Sequence, residues 1–119
     1  VNAATAAAVP GLFARNERVV LIFEGSGGPF AVILVGALFV GSMTTVWHGD
    51  VTPRRPRRAT LLPATGLLAP LDLARGAELG RFNMGSTVIL LFGKNRVELG
   101  LEVVAGRRVV MGEPLGKQL

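Results

Sequence analysis

The stretch PFAVILVGALFVGSMTTVW, Pro29 to Trp47, constrains the fold more than any other part of the chain. An apolar run of this kind is either a membrane span or a pair of buried strands. A spanning helix needs about 20 predominantly apolar residues. Here Gly36, Gly41, Ser42, Thr44 and Thr45 interrupt a run rich in Val and Ile. Branched side chains suit a pleated, packed surface, so the pattern predicts two buried strands joined or kinked near Gly36.

The flanking segments carry the same signature. RVVLIFE, Arg18 to Glu24, reads as a strand, and EGSGG, Glu24 to Gly28, as the turn after it. GKN at Gly93 to Asn95 is a good hairpin turn, followed by the partly alternating RVELGLEVV and by AGRRVVMGEPLG, which is expected to close the domain with another turn-rich strand. Thr60 to Phe82 is leucine-rich but broken by Pro63, Gly66 and Pro70, which favours short extended pieces over a helix. VNAATAAAV suits a helix or an extended connector before Pro10. It has neither the basic lead nor the sustained apolar core of a signal peptide and reads as mid-protein sequence. With 16 Gly and 7 Pro in 119 residues, the chain is expected to be mainly β, a barrel or sandwich of short strands with few helices, forming one domain or part of one.

Composition removes several chemistries. Cysteine is absent and His48 is the single histidine, so a thiolate site and a histidine cluster are both excluded and no metal is expected. His48 itself reads as a loop or edge imidazole. The formal charge of +5 suits anionic partners in general. Arg54, Arg55, Arg57 and Arg58 lie in a proline-stiffened loop, HGDVTPRRPRR, which is either a solvated connector or a lipid-facing patch worth about 1 kcal/mol per basic residue at an anionic leaflet. No aromatic residue is interleaved with these arginines, so the stacking platform of a nucleic-acid binder is missing and none is expected as a partner. GAELG (76–80) and GEPLG (112–116) share Gly, Leu and Gly at matching offsets and predict related turns at two corners of the fold.

In RFNMGSTVILLF, Arg81 to Phe92, Gly-Ser-Thr stands directly before a five-residue apolar run. Gly85 and Ser86 could simply turn the chain before a strand. Alternatively the Gly85-Ser86 bond is reactive. External acyl transfer is disfavoured because only one histidine exists and no Gly-x-Ser-x-Gly elbow is present. An internal reaction asks for less. If the backbone is strained, Ser86 Oγ can attack the Gly85 carbonyl and turn the amide into an ester. Elimination of that ester then cuts the chain and leaves a dehydroalanine that hydrolyses to a pyruvoyl ketone. Such a ketone can act as an electron sink, as PLP does elsewhere.

Four ordered blocks, VPGLFARNERVVLIFE, AVILVGALFVGSMTTVWHGDVTP, ELGRFNMGSTVILLF and VVMGEPLG, resemble the pyruvoyl-dependent phosphatidylserine decarboxylases of bacterial type. In that family an LGST-type motif is the self-cleavage site; Met84 replaces its usual leucine here, a swap of similar volume. The resemblance implies that Gly85 ends a β chain, residues 1–85, and that Ser86 becomes the pyruvoyl group of an α chain, residues 86–119. The two would stay associated as the carboxy-terminal part of one decarboxylase domain. It implies a lyase and zymogen of phospholipid biosynthesis that converts phosphatidylserine to phosphatidylethanolamine through a Schiff base to that covalent pyruvoyl, with neither PLP nor a metal. Further implications are peripheral attachment to the cytoplasmic face of the cell membrane, room for a homo-oligomer, and catalytic Asp and His residues upstream of Val1. Leucines between Thr60 and Leu71 would then either touch lipid or pack on the sheet.

Two other readings use the same residues. One is a non-catalytic carrier-like β domain, suggested by GAELG and GEPLG, although Lys94 and Lys117 lack the sequence context of a carrier lysine. The other is a truncated fragment that keeps the fold and cannot mature.

Overall fold

A computed structural model describes residues 3–37, 43–51, 58–62, 71–83 and 87–119. Among these residues two short helices, α1 (Ala3–Ala8) and α2 (Leu12–Arg15), precede eight strands: β1 (Arg18–Gly25), β2 (Gly28–Val35), β3 (Met43–Thr45), β4 (Gly49–Val51), β5 (Gly80–Phe82), β6 (Thr87–Phe92), β7 (Val97–Leu99) and β8 (Gly116–Gln118). The strands form three sheets, ordered β1-β2-β6, β4-β3-β5 and β7-β8. The expected mainly β fold is therefore present, and none of these sheets is closed into a barrel. Among the described residues no helix is long and apolar enough to cross a membrane.

The chain divides into two compact units, one of Val1–Val19 with Leu34–Ile89 and the other of Val20–Ile33 with Leu90–Leu119. Among the described residues, the first unit holds all but Leu21 of the buried apolar side chains: Leu12, Val19, Leu34, Val35 and Met43. The apolar run breaks at Gly36 as expected, while Gly41 and Ser42 lie outside the described residues. β2 ends at Val35, and Gly36 is tied at both backbone groups, its N–H donating to Glu17 O at 2.9 Å and its carbonyl accepting from Asn16 Nδ2 at 2.9 Å. Asn16 is buried and spends its amide on this bond, as a buried polar group must.

The second unit is more open. Phe23, Phe30 and Phe92 stack across β1, β2 and β6, with ring centroids 5.3 and 6.0 Å apart. In the same unit Val20, Ile22, Leu91, Leu99, Leu101 and Met111 are exposed. Lys94 and Asn95 form the expected turn, with Arg96 N–H donating to Gly93 O at 3.3 Å and Asn95 in the left-handed region at φ 57°. The strands it joins do not pair with each other, however. β6 joins β2 and β7 joins β8, so this turn redirects the chain between sheets and closes no hairpin.

The two glycine motifs do build matching corners. Gly76 and Gly112 take positive φ, 80° and 94°, and Gly80 and Gly116 open β5 and β8. β3 pairs antiparallel with β5 in the register Thr45↔Gly80, and β7 with β8 in the register Leu99↔Gly116. One further bond closes each ladder, Val46 N–H to Leu79 O at 3.3 Å and Gly100 N–H to Leu115 O at 2.9 Å. A Cβ on Gly80 would lie 2.6 Å from Thr44 O, and one on Gly116 would strike Glu98 O, the equivalent atom. Each motif thus ends in glycine because the backbone opposite leaves no room for a side chain.

Candidate active site

Met84, Gly85 and Ser86, the cleavage site expected from the sequence, lie outside the described residues. So do Arg54, Arg55, Arg57, Leu67 and Leu68, whereas Arg58 and Leu61 are described and exposed. The segments on either side of the expected cleavage site are also described. β5 ends at Phe82, Asn83 follows as a bend, and β6 opens at Thr87. Only three residues separate Asn83 from the first residue of β6.

The upstream side is held by the β4-β3-β5 sheet. Its central strand β3 puts Thr44 opposite Asp50 of β4 and opposite Arg81 of β5. The Thr44 hydroxyl donates to Asp50 Oδ1 at 2.7 Å and accepts from Asn83 Nδ2 at 3.3 Å. A hydroxyl has one proton and two lone pairs, so it can serve both partners at once. Arg81 pairs instead with Glu78, Nε to Oε1 at 3.2 Å, both side chains being more than half exposed. Thr44, Thr45, Val46, Gly49, Glu78 and Arg81 line an open cleft of about 340 Å³.

Among the described residues, two buried side-chain oxygens have no hydrogen-bond partner, Thr45 Oγ1 and Glu17 Oε2. Burial pushes the Glu17 carboxyl above its ordinary value, because the charged form loses hydration. His48 sits part-exposed in the turn between β3 and β4, as a loop imidazole. Among the described residues, no three His, Cys, Asp or Glu side chains gather as a metal site would need.

Thr44, Asp50 and Asn83 escaped the sequence reading. A faint signal was present: two adjacent threonines inside an apolar strand, an aspartate six positions after the first, and an asparagine two residues before Gly85. Nothing in the linear pattern shows that β3 places the first threonine between the other two residues.

The family model described as phosphatidylserine decarboxylase matches residues 1–117. Among curated relatives, the phosphatidylserine decarboxylase proenzyme of Methylococcus capsulatus is 53% identical over 116 residues, covering 98% of this chain and 40% of the relative. The proenzyme of Ectopseudomonas mendocina is 53% identical over 117 residues, 98% of this chain and 41% of the relative. That of Verminephrobacter eiseniae is 47% identical over 121 residues, 99% of this chain and 42% of the relative. The chain therefore spans about two fifths of the length of these relatives. No solved structure matches.

Proposed function

The chain belongs to the phosphatidylserine decarboxylase family, and from that premise we propose that it is the carboxy-terminal part of a proenzyme that cuts itself between Gly85 and Ser86 and then decarboxylates phosphatidylserine. The observation that carries the reading is the position of Gly85-Ser86 in the chain. The pair falls in the three-residue connection between Asn83, the residue after β5, and Thr87, the first residue of β6. A bond in such a short connection can be held in the strained or near-attack form that an internal reaction needs.

Ser86 Oγ attacks the Gly85 carbonyl carbon, the C–N bond breaks, and the hydroxyl proton passes to the departing nitrogen, leaving an ester. A general base removes the Ser86 Cα proton, and the Cβ–O bond breaks with its electrons going to the Gly85 carboxylate. The resulting enamine takes a proton at Cβ, water then replaces nitrogen at Cα, ammonia leaves, and Ser86 ends as a methyl ketone at the start of the α chain. That ketone supplies an electron sink for the pair released when a substrate carboxylate departs as carbon dioxide. Gly85, without a side chain, keeps the serine's approach open. The substrate keeps two acyl tails in a bilayer, so the reading places the enzyme peripherally at the membrane surface, on its cytoplasmic face. The net positive charge suits an anionic leaflet.

The test is Ser86→Ala in the whole proenzyme. We expect one uncut chain and no carbon dioxide released from phosphatidylserine. A variant that is still cut at this bond would end the proposal.

A further inference from the structure

We propose that Asn83, held by Thr44 and through it by Asp50, is a positioning residue for self-cleavage; the inference rests on the cleavage reading above. Met84 and Gly85 alone stand between Asn83 and Ser86. An internal attack is fast only when the hydroxyl and the carbonyl it approaches are kept in one arrangement, and a misplacement of about 1 Å can cost some 100-fold in rate. The downstream end of the segment is fixed by β6, which opens at Thr87. Upstream, the backbone ladder of β5 ends at Phe82, opposite Met43. The Asn83 side-chain bond to Thr44 carries the attachment one residue further toward the scissile bond.

The order of donors and acceptors gives this attachment a direction. Asp50 takes the Thr44 proton at 2.7 Å, a hydrogen bond to a carboxylate and hence among the stronger kinds. With its proton committed, the Thr44 oxygen can only accept from Asn83, which fixes which way the asparagine amide points. Removing the Thr44 hydroxyl would therefore take this bond from Asn83 while leaving the β3 backbone in place.

Folding alone does not account for the relay. The corner formed by β7 and β8 has the same backbone without it. At the register positions of Thr44 and Arg81 stand Glu98 and Lys117, which close on each other in an ion pair of 2.9 Å. The corner thus forms with a cross-strand pair that reaches no further. Only the β3–β5 corner, whose strand leads to Gly85-Ser86, turns its central polar residue toward the residue after the strand.

The experiment measures the rate of chain cutting in the whole proenzyme for wild type, Thr44→Val, Thr44→Ser, Asn83→Ala and Glu98→Gln. Melting of each substitution is compared in the uncleavable Ser86→Ala background. We expect Thr44→Val and Asn83→Ala to slow cutting about tenfold or more. Thr44→Ser, which keeps the hydroxyl, should cut near the wild-type rate, as should Glu98→Gln, and melting should move little in any of them. The inference is overturned if Thr44→Val and Asn83→Ala cut at the wild-type rate, if Glu98→Gln slows cutting equally, or if the slowing follows a loss of melting temperature. A wild-type proenzyme that stays whole, or a Ser86→Ala chain that is cut, would instead remove the cleavage reading itself.

Discussion

The β3–β5 and β7–β8 corners share a glycine-led turn, an antiparallel register and a closing backbone bond, yet they bury opposite things. At the position opposite the strand-opening glycine, the first unit places Thr45, 1% exposed with its hydroxyl unpartnered. The second unit places Leu99 there, 57% exposed. A polar group is inside and an apolar one outside, against the usual preference. The contrast teaches that the glycine motif specifies only the corner's backbone. What the corner does depends on the layers packed around it and on the side chain one residue before, a relay hydroxyl in one case and an ion-pair carboxylate in the other.

The largest effect expected from this contrast comes from truncating each corner. Met43 is fully buried in β3, so Met43→Ala should cost about 2–5 kcal/mol in chemical or thermal unfolding. Leu99→Ala should stay within about 0.5 kcal/mol, as for an exposed site. Equal losses would break the comparison, because Leu99 would then be covered by something in the intact protein. Next in size is Thr45→Val, which replaces the orphaned hydroxyl by a methyl group. It should raise stability by about 1 kcal/mol, the low end of the cost of a buried unsatisfied group. A destabilised Thr45→Val would mean that the hydroxyl is satisfied in the working protein.

The smallest effect concerns Glu17, in the same unit as Thr45. Its carboxyl is held above the ordinary glutamate value of 4.5 by desolvation. A raised acid binds its proton more tightly when folded, so its contribution to stability is fully present below the unfolded value and is lost as pH rises through the folded one. Glu17→Gln has no such loss. The variant should therefore match wild type at low pH and gain on it as pH rises toward neutrality, measured by melting at several pH values. A constant offset across that range would show that burial at Glu17 is not what sets the difference.

The strands at Arg18–Gly25 and Gly28–Val35, the break at Gly36 and the two glycine corners were legible because each rests on local chemistry: branched apolar residues, and glycines where a Cβ has no room. The partner of β7 was not legible. The turn at Lys94–Asn95 has the residues of a hairpin, and only the sheet arrangement decides that β8 takes the place beside β7. At the proposed site, Gly85 and Ser86 were singled out from their position before an apolar run and from family resemblance, and they lie outside the described residues. The Asp50–Thr44–Asn83 relay spans three strands' worth of sequence, so no period or spacing could announce it.

Denaturing intact-mass analysis of the expressed proenzyme tests the central claim most directly. The account predicts two chains divided at Gly85-Ser86, the one beginning at position 86 being lighter by one ammonia than the same peptide with an intact serine. A whole chain, or a cut chain that still begins with serine, would contradict it.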